Sequence, residues 1–242
     1  MDHPEARVRF VDHCDLTIAA EVWPFAERHR EAIDAHWAHR VTENPAFFNG
    51  RVHMMSAFSC EGGLLRGRLI AVEFKAFLYW REAGEADPTV HDAFGSALIR
   101  SRDGAVVLGR QRAGNINAGL AYLPGGFIDQ RDADAAGRVD IRASVLREVA
   151  EETGLGPADY TVRPGYVVTV AGRQVSIAVE IVANEELDPL LRRIRSHIAA
   201  DPKSELEDVV SIRSPGDLEG LAVPPYARGL LLTLLSPDHG PA

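Results

Sequence analysis

Alternation of apolar and polar residues is clearest between residues 70 and 80, and it predicts a half-buried β-strand there. Shorter apolar runs over 97–99 and 105–108 flank an Asp103-Gly104 turn, which is typical of a β-hairpin. Further strands are predicted over 51–58, 166–170, 175–182 and 209–212.

Apolar positions that recur three and four residues apart predict helices. Such a pattern begins near Glu21, continues as an inward stripe over 185–199 and closes the chain over 226–235. Strands interspersed with helices, together with hairpins, predict a mixed α/β or α+β sandwich.

One predicted helix combines well-marked ends with three clustered carboxylates. Asp140 is suited to cap its start, and Gly154 is suited to end it. Glu148, Glu151 and Glu152 then fall on one side of about one helical turn, where like charges repel. A hard divalent cation such as Mg²⁺ or Mn²⁺ would replace this repulsion with ligation. The alternative interpretation is a solvated acidic helix face.

The segment from Arg147 to Leu155 reads Arg-Glu-Val-Ala-Glu-Glu-Thr-Gly-Leu, and it resembles the signature of the Nudix hydrolases. That signature is Gly-x5-Glu-x7-Arg-Glu-U-x-Glu-Glu-x-Gly-U, with U aliphatic, and its second half matches at every specified position. The resemblance covers about residues 92–236 and implies a Nudix-like α/β/α sandwich with a mixed sheet. Residues 1–91 would form an N-terminal α+β extension packed on this core, and residues 237–242 a C-terminal tail.

The first half of the signature departs from the family pattern. The position six residues after Gly126 holds Asp132, and the position eight residues before Arg147 holds Val139, so neither is glutamate. In the family pattern these two positions are the same residue, so the chain carries an insertion of about seven residues between them. Segment 131–139 is rich in small and charged residues, so we expect a mobile surface loop there. Three aspartates are candidates to replace the missing glutamate: Asp132, Asp134 and Asp140.

The resemblance implies hydrolysis of a nucleoside diphosphate linked to another moiety. Glu148, Glu151 and Glu152 would hold Mg²⁺, or Mn²⁺, which neutralises diphosphate charge and lowers the pKa of a bound water. The general base would be one of these carboxylates or one from a late acidic loop. In that loop we favour Glu205 over Glu207.

Five further residues are candidates for contacts with the substrate. Gly125 and Gly126 would let the backbone turn tightly beside the acidic helix. Arg110 and Arg112 are two residues apart, so they point the same way on a strand and would approach the substrate as bidentate donors. Asn49 would make a polar contact. The alternatives are surface arginines at a strand end and a turn asparagine.

The stretch Phe47-Phe48-Asn49-Gly50-Arg51 and the insertion resemble the Nudix branch that hydrolyses UDP-glucose and UDP-galactose. This resemblance implies cleavage to UMP and a sugar 1-phosphate. The two phenylalanines would stack on the uracil and Asn49 would pair with its amide-like edge; the alternative is that the phenylalanines are core residues beside a turn. ADP-ribose and dinucleoside polyphosphates remain alternative substrates. Because the first glutamate of the signature is missing, a Nudix-like module that binds a nucleotide without cleaving it is a second functional class.

Composition and charge limit the classes of molecule that the chain is expected to bind. The 242 residues are 46% hydrophobic and carry a net charge of −9, which argues against non-specific binding to nucleic acid. Cys14 and Cys60 do not make a disulfide framework, and the N-terminus lacks a signal-peptide pattern. We therefore expect a cytoplasmic enzyme with a small nucleotide substrate and no nucleic-acid or membrane partner, and we leave a homodimer open.

Overall fold

A computed structural model of the chain describes residues 6–236. Within these residues, twelve strands form two β-sheets and six α-helices surround them. The strands are Arg7–Val11 (β1), His13–Ala19 (β2), Arg51–Glu61 (β3), Leu64–Glu73 (β4), Asp92–Arg100 (β5), Val106–Gln111 (β6), Ala121–Tyr122 (β7), Arg138–Val139 (β8), Tyr160–Val162 (β9), Tyr166–Ala171 (β10), Gln174–Ala183 (β11) and Leu206–Ile212 (β12). The helices are Pro24–Arg28 (α1), Arg30–Glu43 (α2), Phe74–Glu82 (α3), Ile141–Thr153 (α4), Leu187–Ala200 (α5) and Pro225–Leu235 (α6).

The larger sheet is mixed and has helices on both of its faces. Its strand order is β1-β10-β11-β5-β6-β12, with β7 beside β6 and β9 beside β11. β5 and β11 pair in parallel, whereas the other pairs are antiparallel. Gly95 faces Val145 of α4, and the neighbouring Phe94 meets the ring of Tyr226 of α6 from the opposite face. The predicted mixed architecture is therefore confirmed.

The smaller sheet has the strand order β3-β4-β2-β8 and is built mainly from the N-terminal region. The same region also contributes β1, which pairs with β10 in the larger sheet. No helix within residues 6–236 is long and apolar enough to cross a membrane. The division into 1–91 and 92–236 stays a prediction, and the predicted tail, 237–242, lies outside the described residues.

The predicted strand over 70–80 is wrong in its second half, because β4 ends at Glu73 and α3 begins at Phe74. The alternating pattern does not include Phe77 on its buried face. In the structure Phe77 and Trp80 are both fully buried, in a hydrophobic cluster separate from the main core. Phe74, Phe77 and Leu78 also match helical spacing, so the local pattern was ambiguous. Burial in the tertiary structure decided for the helix.

The inserted segment is ordered rather than a free loop, so the expected mobile loop is corrected. Its end forms β8, which pairs with β2 through Leu16 and Val139. The side chain of Asp134 accepts hydrogen bonds from the backbone N–H groups of Ala136 and Arg138, at 2.8 and 3.0 Å. These contacts attach the segment to the smaller sheet.

Candidate active site

Helix α4 holds the acidic residues in a fixed register, as predicted from its ends. The Asp140 carboxylate accepts a hydrogen bond from the backbone N–H of Ala143 at 3.0 Å, and Gly154 ends the helix with a φ of 70°. Val145 and Val149 are fully buried on the face toward the larger sheet. This packing fixes the rotation of the helix, and thereby the directions of its glutamates.

The three helix carboxylates lie in different environments. Glu152 is 7% exposed, and its Oε2 accepts a hydrogen bond from the backbone N–H of Gly125 at 2.9 Å. Glu148 is mostly buried and its Oε1 is 2.6 Å from Arg147 Nη1, whereas the Glu151 side chain is 57% exposed. Glu148 and Glu152 therefore face the interior of the site, and Glu151 lies at its solvent edge.

Burial and mutual repulsion shift the acid–base equilibria of the two inner glutamates. Burial raises the pKa of Glu152 well above its ordinary value, and the negative charges of Glu148 and Glu205 raise it further. Burial also raises the pKa of Glu148, while the adjacent Arg147 guanidinium opposes that rise. Glu148, Glu152 and Glu205 therefore hold three carboxyl groups close together, although burial and mutual repulsion make their ionised forms unfavourable.

The glycine turn is required by close approach of the backbone. Gly125 has a φ of 153°, and a Cβ atom there would lie 2.2 Å from the carbonyl oxygen of Gly95. A Cβ on Gly126 would lie 3.1 Å from the Glu148 carboxyl group. These positions bring the backbone of the turn against both β5 and the acidic helix.

Asp132 forms a salt bridge with Arg147. Its side chain is 3% exposed, and its Oδ1 accepts a hydrogen bond from Arg147 Nη2 at 2.8 Å. Its Oδ2 accepts the backbone N–H of Asp129 at 2.9 Å. The other two candidates have different roles, since Asp134 stabilises a turn and Asp140 caps α4.

Glu205 joins the helix carboxylates from a separate part of the chain, just before β12. It lines the same cavity as Gly125 and Gly126, and its charge raises the pKa values of Glu148 and Glu152. Glu207 instead lines a separate depression beside Arg112 and Arg195. The structure therefore places Glu205, and not Glu207, beside the acidic helix.

A cavity of about 770 Å³ opens beside these groups. Its walls come from the N-terminal region, from the start of β5 and from the segment between β6 and the glycine turn. The polar residues on these walls are Arg81, Glu85, Asp92, Gln111, Asn115, Asn117, Tyr122, Gln174 and Glu205. The cavity is large enough for a nucleotide-sized ligand.

The two arginines predicted to contact the substrate do not line this cavity. Gln111, which lies between them on β6, does: its Nε2 donates to the Tyr122 hydroxyl at 3.1 Å. Arg112 donates to the backbone carbonyls of Pro202 and Leu206, both at 3.2 Å. Arg110 lies opposite Asp208 in the β6–β12 register. Burial raises the pKa of Asp208, but the hydrogen bond from Arg195 and, to a smaller extent, the charge of Arg110 lower it. Strand alternation places Gln111 on one face and both arginines on the other.

Asn49 has a structural role at the start of α3. Its Oδ1 accepts the backbone N–H of Lys75 at 3.0 Å, and its Nδ2 donates to Glu73 at 3.1 Å. Asn49 does not line the cavity, but both neighbouring phenylalanines do. Phe47 is held in a stack with Trp37, with ring centroids 6.3 Å apart, whereas Phe48 is 81% exposed. Phe48 therefore offers an exposed aromatic surface at the cavity.

The donor chemistry fits a hard divalent cation, because Glu148, Glu152 and Glu205 offer only carboxylate oxygens. Glu148 Oε2 forms no hydrogen bond or ion pair within the described residues. Across residues 6–236, however, no three His, Cys, Asp or Glu side chains already converge on a common ion position. Glu148 is turned toward Arg147, so side-chain rotation would accompany ion binding.

The chain is similar to known proteins in sequence and in structure. The sequence profile of the NUDIX domain matches residues 89–218. Among curated proteins the comparison gives no match. Among solved structures, the chain is similar to RenU, a Nudix hydrolase from M. smegmatis, with 19% identity, coverage of 59% of this chain and 81% of that chain, and a TM-score of 0.39.

Two further solved structures are similar over a comparable share of the chain. A MutT protein from Methanosarcina mazei Go1 is 24% identical, with coverage of 58% and 90% of the two chains and a TM-score of 0.39. NrtR from Shewanella oneidensis, solved with a 27mer DNA, is 22% identical, with coverage of 57% and 58% and a TM-score of 0.37. Since the domain profile spans more than half of the 242 residues, the chain belongs to the Nudix family of pyrophosphohydrolases, which act on nucleoside diphosphate derivatives and generally use divalent metal ions.

Proposed function

We propose that the chain cleaves the diphosphate of a nucleoside diphosphate linked to a second moiety, with UDP-glucose and UDP-galactose as the first candidates. The observation that carries this proposal is the position of Glu205 on the wall of a cavity of about 770 Å³, beside Gly125, whose backbone N–H binds Glu152. Glu205 is also close enough to Glu148 and Glu152 for its charge to raise their pKa values. An acidic chain needs a local means of holding an anionic diphosphate, and carboxylates combined with a divalent ion provide one.

In this proposal Glu148, Glu151 and Glu152 hold Mg²⁺, or Mn²⁺, at the diphosphate. The bound ion would neutralise the phosphate charge and lower the pKa of the attacking water. Glu205 would accept the proton of that water, because it lines the cavity and is the carboxylate from outside the helix whose charge acts on both Glu148 and Glu152. Gly125 keeps Glu152 in place through its backbone N–H.

The UDP-sugar candidates rest on a thinner basis than the site itself. Phe48 lines the cavity and is exposed, which suits stacking against a base. Asn49 and the two arginines give no such support, since none of them lines the cavity. ADP-ribose and dinucleoside polyphosphates therefore remain alternative substrates.

The remaining expectations about partners stay predictions. The net charge of −9 supports the absence of a non-specific nucleic-acid partner, although NrtR from Shewanella oneidensis was solved with DNA. A cytoplasmic location, the absence of a membrane partner and a homodimer are likewise untested.

The test is a substrate panel with Mg²⁺ and, separately, with Mn²⁺. UDP-glucose, UDP-galactose, ADP-ribose and a dinucleoside tetraphosphate are compared at equal concentration, with products separated by chromatography. We expect UMP and a sugar 1-phosphate from the UDP-sugars. Hydrolysis of another compound alone would refute the UDP-sugar assignment, whereas nucleotide binding without turnover of any compound would favour the non-cleaving module.

A further inference from the structure

The cavity wall away from the acidic helix carries a second group of polar side chains that the proposed mechanism does not use. Arg81 comes from the end of α3, Glu85 from the following turn, Asp92 from the start of β5 and Gln174 from the start of β11. All four line the cavity. Because α3 and its turn belong to the N-terminal region, that region completes the site.

Asp92 is the central group of this cluster. It is 8% exposed, and no Arg, Lys or His in the described part of the chain lies within ion-pair distance of its carboxylate. Gln174 is its direct partner in the parallel β5–β11 register, and both residues line the cavity. A buried carboxylate beside one amide side chain retains acceptor capacity for further donors.

Arg81 and Glu85 give the cluster mixed chemistry rather than a purely acidic surface. The Arg81 guanidinium lies close enough to lower the pKa values of both Glu85 and Asp92, and it donates a hydrogen bond to Asn117 Oδ1 at 2.5 Å. Glu85 has a φ of 57°, and it is the one non-glycine residue with a positive φ within residues 6–236. That backbone conformation is energetically costly for a residue with a side chain.

The charges and hydrogen-bonding groups of the cluster determine which part of a nucleotide substrate it can bind. The negative charges of Asp92 and Glu85 oppose a diphosphate group at this wall. An exposed aromatic surface for a planar base is provided elsewhere on the cavity by Phe48. Sugar hydroxyls both donate and accept hydrogen bonds, so they match a wall with a carboxylate acceptor, a guanidinium and an amide.

We propose that Arg81, Glu85, Asp92 and Gln174 form a polyol-binding subsite that recognises the hydroxyl groups of a sugar in the substrate. The inference rests on the proposed function in taking the ligand to be a nucleoside diphosphate derivative. The hydroxyls belong either to the ribose of the nucleotide or to a sugar beyond the diphosphate. The subsite determines specificity and takes no part in breaking the phosphoanhydride bond.

The test is calorimetric binding in metal-free buffer with EDTA, which separates recognition from hydrolysis. The uridine probes are UDP-glucose, UDP and 2′-deoxy-UDP, and the adenine probes are ADP-ribose, ADP and 2′-deoxy-ADP. The variants are Asp92→Asn, which preserves shape, and Arg81→Gln. Asp188→Asn, an exposed residue of α5 outside the cavity, is the matched control.

We expect Asp92→Asn to weaken binding of the hydroxyl-bearing probes about ten- to hundredfold, and Asp188→Asn to leave it unchanged. A loss confined to UDP-glucose or ADP-ribose identifies the distal sugar. The ribose is identified if Asp92→Asn also weakens binding of UDP or ADP and if the wild-type protein binds the 2′-deoxy probe more weakly than the matching ribonucleotide. If Asp92→Asn does not fold, Arg81→Gln provides the same comparison.

Wild-type affinity for every probe in both Asp92→Asn and Arg81→Gln would overturn the subsite, and so would wild-type protein that binds none of the probes. Hydrolysis with Mg²⁺ is measured separately on the same proteins. Sugar-selective binding that depends on Asp92, without hydrolysis, would overturn the proposed function and leave the subsite standing. Hydrolysis with equal kcat/KM in wild type and Asp92→Asn would overturn the subsite alone.

Discussion

Asp132 accepts a hydrogen bond from Arg147 Nη2 at 2.8 Å, and this contact joins the start of the inserted segment to the acidic helix. The same guanidinium donates through Nη1 to Glu148 at 2.6 Å. Arg147 is thereby held between the buried Asp132 and the mostly buried Glu148. Of the three aspartates considered as replacements for the missing glutamate of the signature, Asp132 is the one that pairs with Arg147.

Replacing Asp132 with alanine should destabilise the fold and disorder the acidic helix locally. The carboxylate is almost fully buried, and its loss leaves Arg147 Nη2 and the Asp129 N–H group without this acceptor, although Arg147 Nη1 keeps its contact with Glu148. Because Arg147 is partly exposed, we expect a loss of about 2 kcal/mol in the free energy of unfolding. Urea denaturation measures it, with Asp188→Ala as the control; equal stabilities would contradict the pairing.

Glu152→Gln should abolish most turnover without reducing stability. The ionised carboxylate is buried beside Glu148 and Glu205, so an uncharged amide relieves repulsion while still accepting the Gly125 N–H. We expect the metal-free melting temperature at pH 7.5 to be unchanged or higher, and kcat to fall by orders of magnitude. Calorimetry and the substrate panel check both, and wild-type turnover would remove Glu152 from the site.

Glu205→Gln and Glu207→Gln form a matched pair separated by one residue. Only Glu205 lines the main cavity, and Glu207 lies at the separate depression beside Arg195. Glu205→Gln should lower kcat about a hundredfold or more, as expected for loss of a general base, whereas Glu207→Gln should retain it. Steady-state kinetics on the hydrolysed compound decide this, and a reversed pattern would transfer the proposed role to Glu207.

Asp92 should make stability depend on pH in an identifiable window. Burial is the main cause that raises its pKa from 3.8 to about 6, the neighbouring Glu85 adds to this, and Arg81 opposes it. The folded state therefore binds more protons than the unfolded state between about pH 4 and 6, so stability falls as pH rises through that window. The full penalty, about 3 kcal/mol, applies above it.

Asp92→Asn removes this titration. The variant should be more stable than wild type at pH 7.5 by up to about 3 kcal/mol, and the difference should shrink toward pH 4. The difference between the two proteins includes the interactions of the Asp92 charge with Arg81, Glu85 and Tyr226, because the variant lacks that charge. Denaturant titrations at several pH values measure the difference; a pH-independent value would show that Asp92 is not buried as described.

The sequence by itself determined the features that depend on local spacing. Asp140 and Gly154 mark the ends of α4, and the register between them places Glu148 and Glu152 on one side of the helix. Those relations need only helical geometry and capping chemistry. The Asp103-Gly104 hairpin and the closing helix were predictable for the same reason.

Only the tertiary structure decided which side chains meet across the chain. Asp132 and Arg147 are 15 residues apart, and a buried pair forms between them because the backbone turn places one over the other. Gln111 rather than Arg112 reaches the cavity because sheet pairing fixes which face of β6 points inward. The end of β4 at Glu73 and the grouping of Arg81 with Asp92 likewise depend on long-range burial, for which local sequence patterns carry no signal.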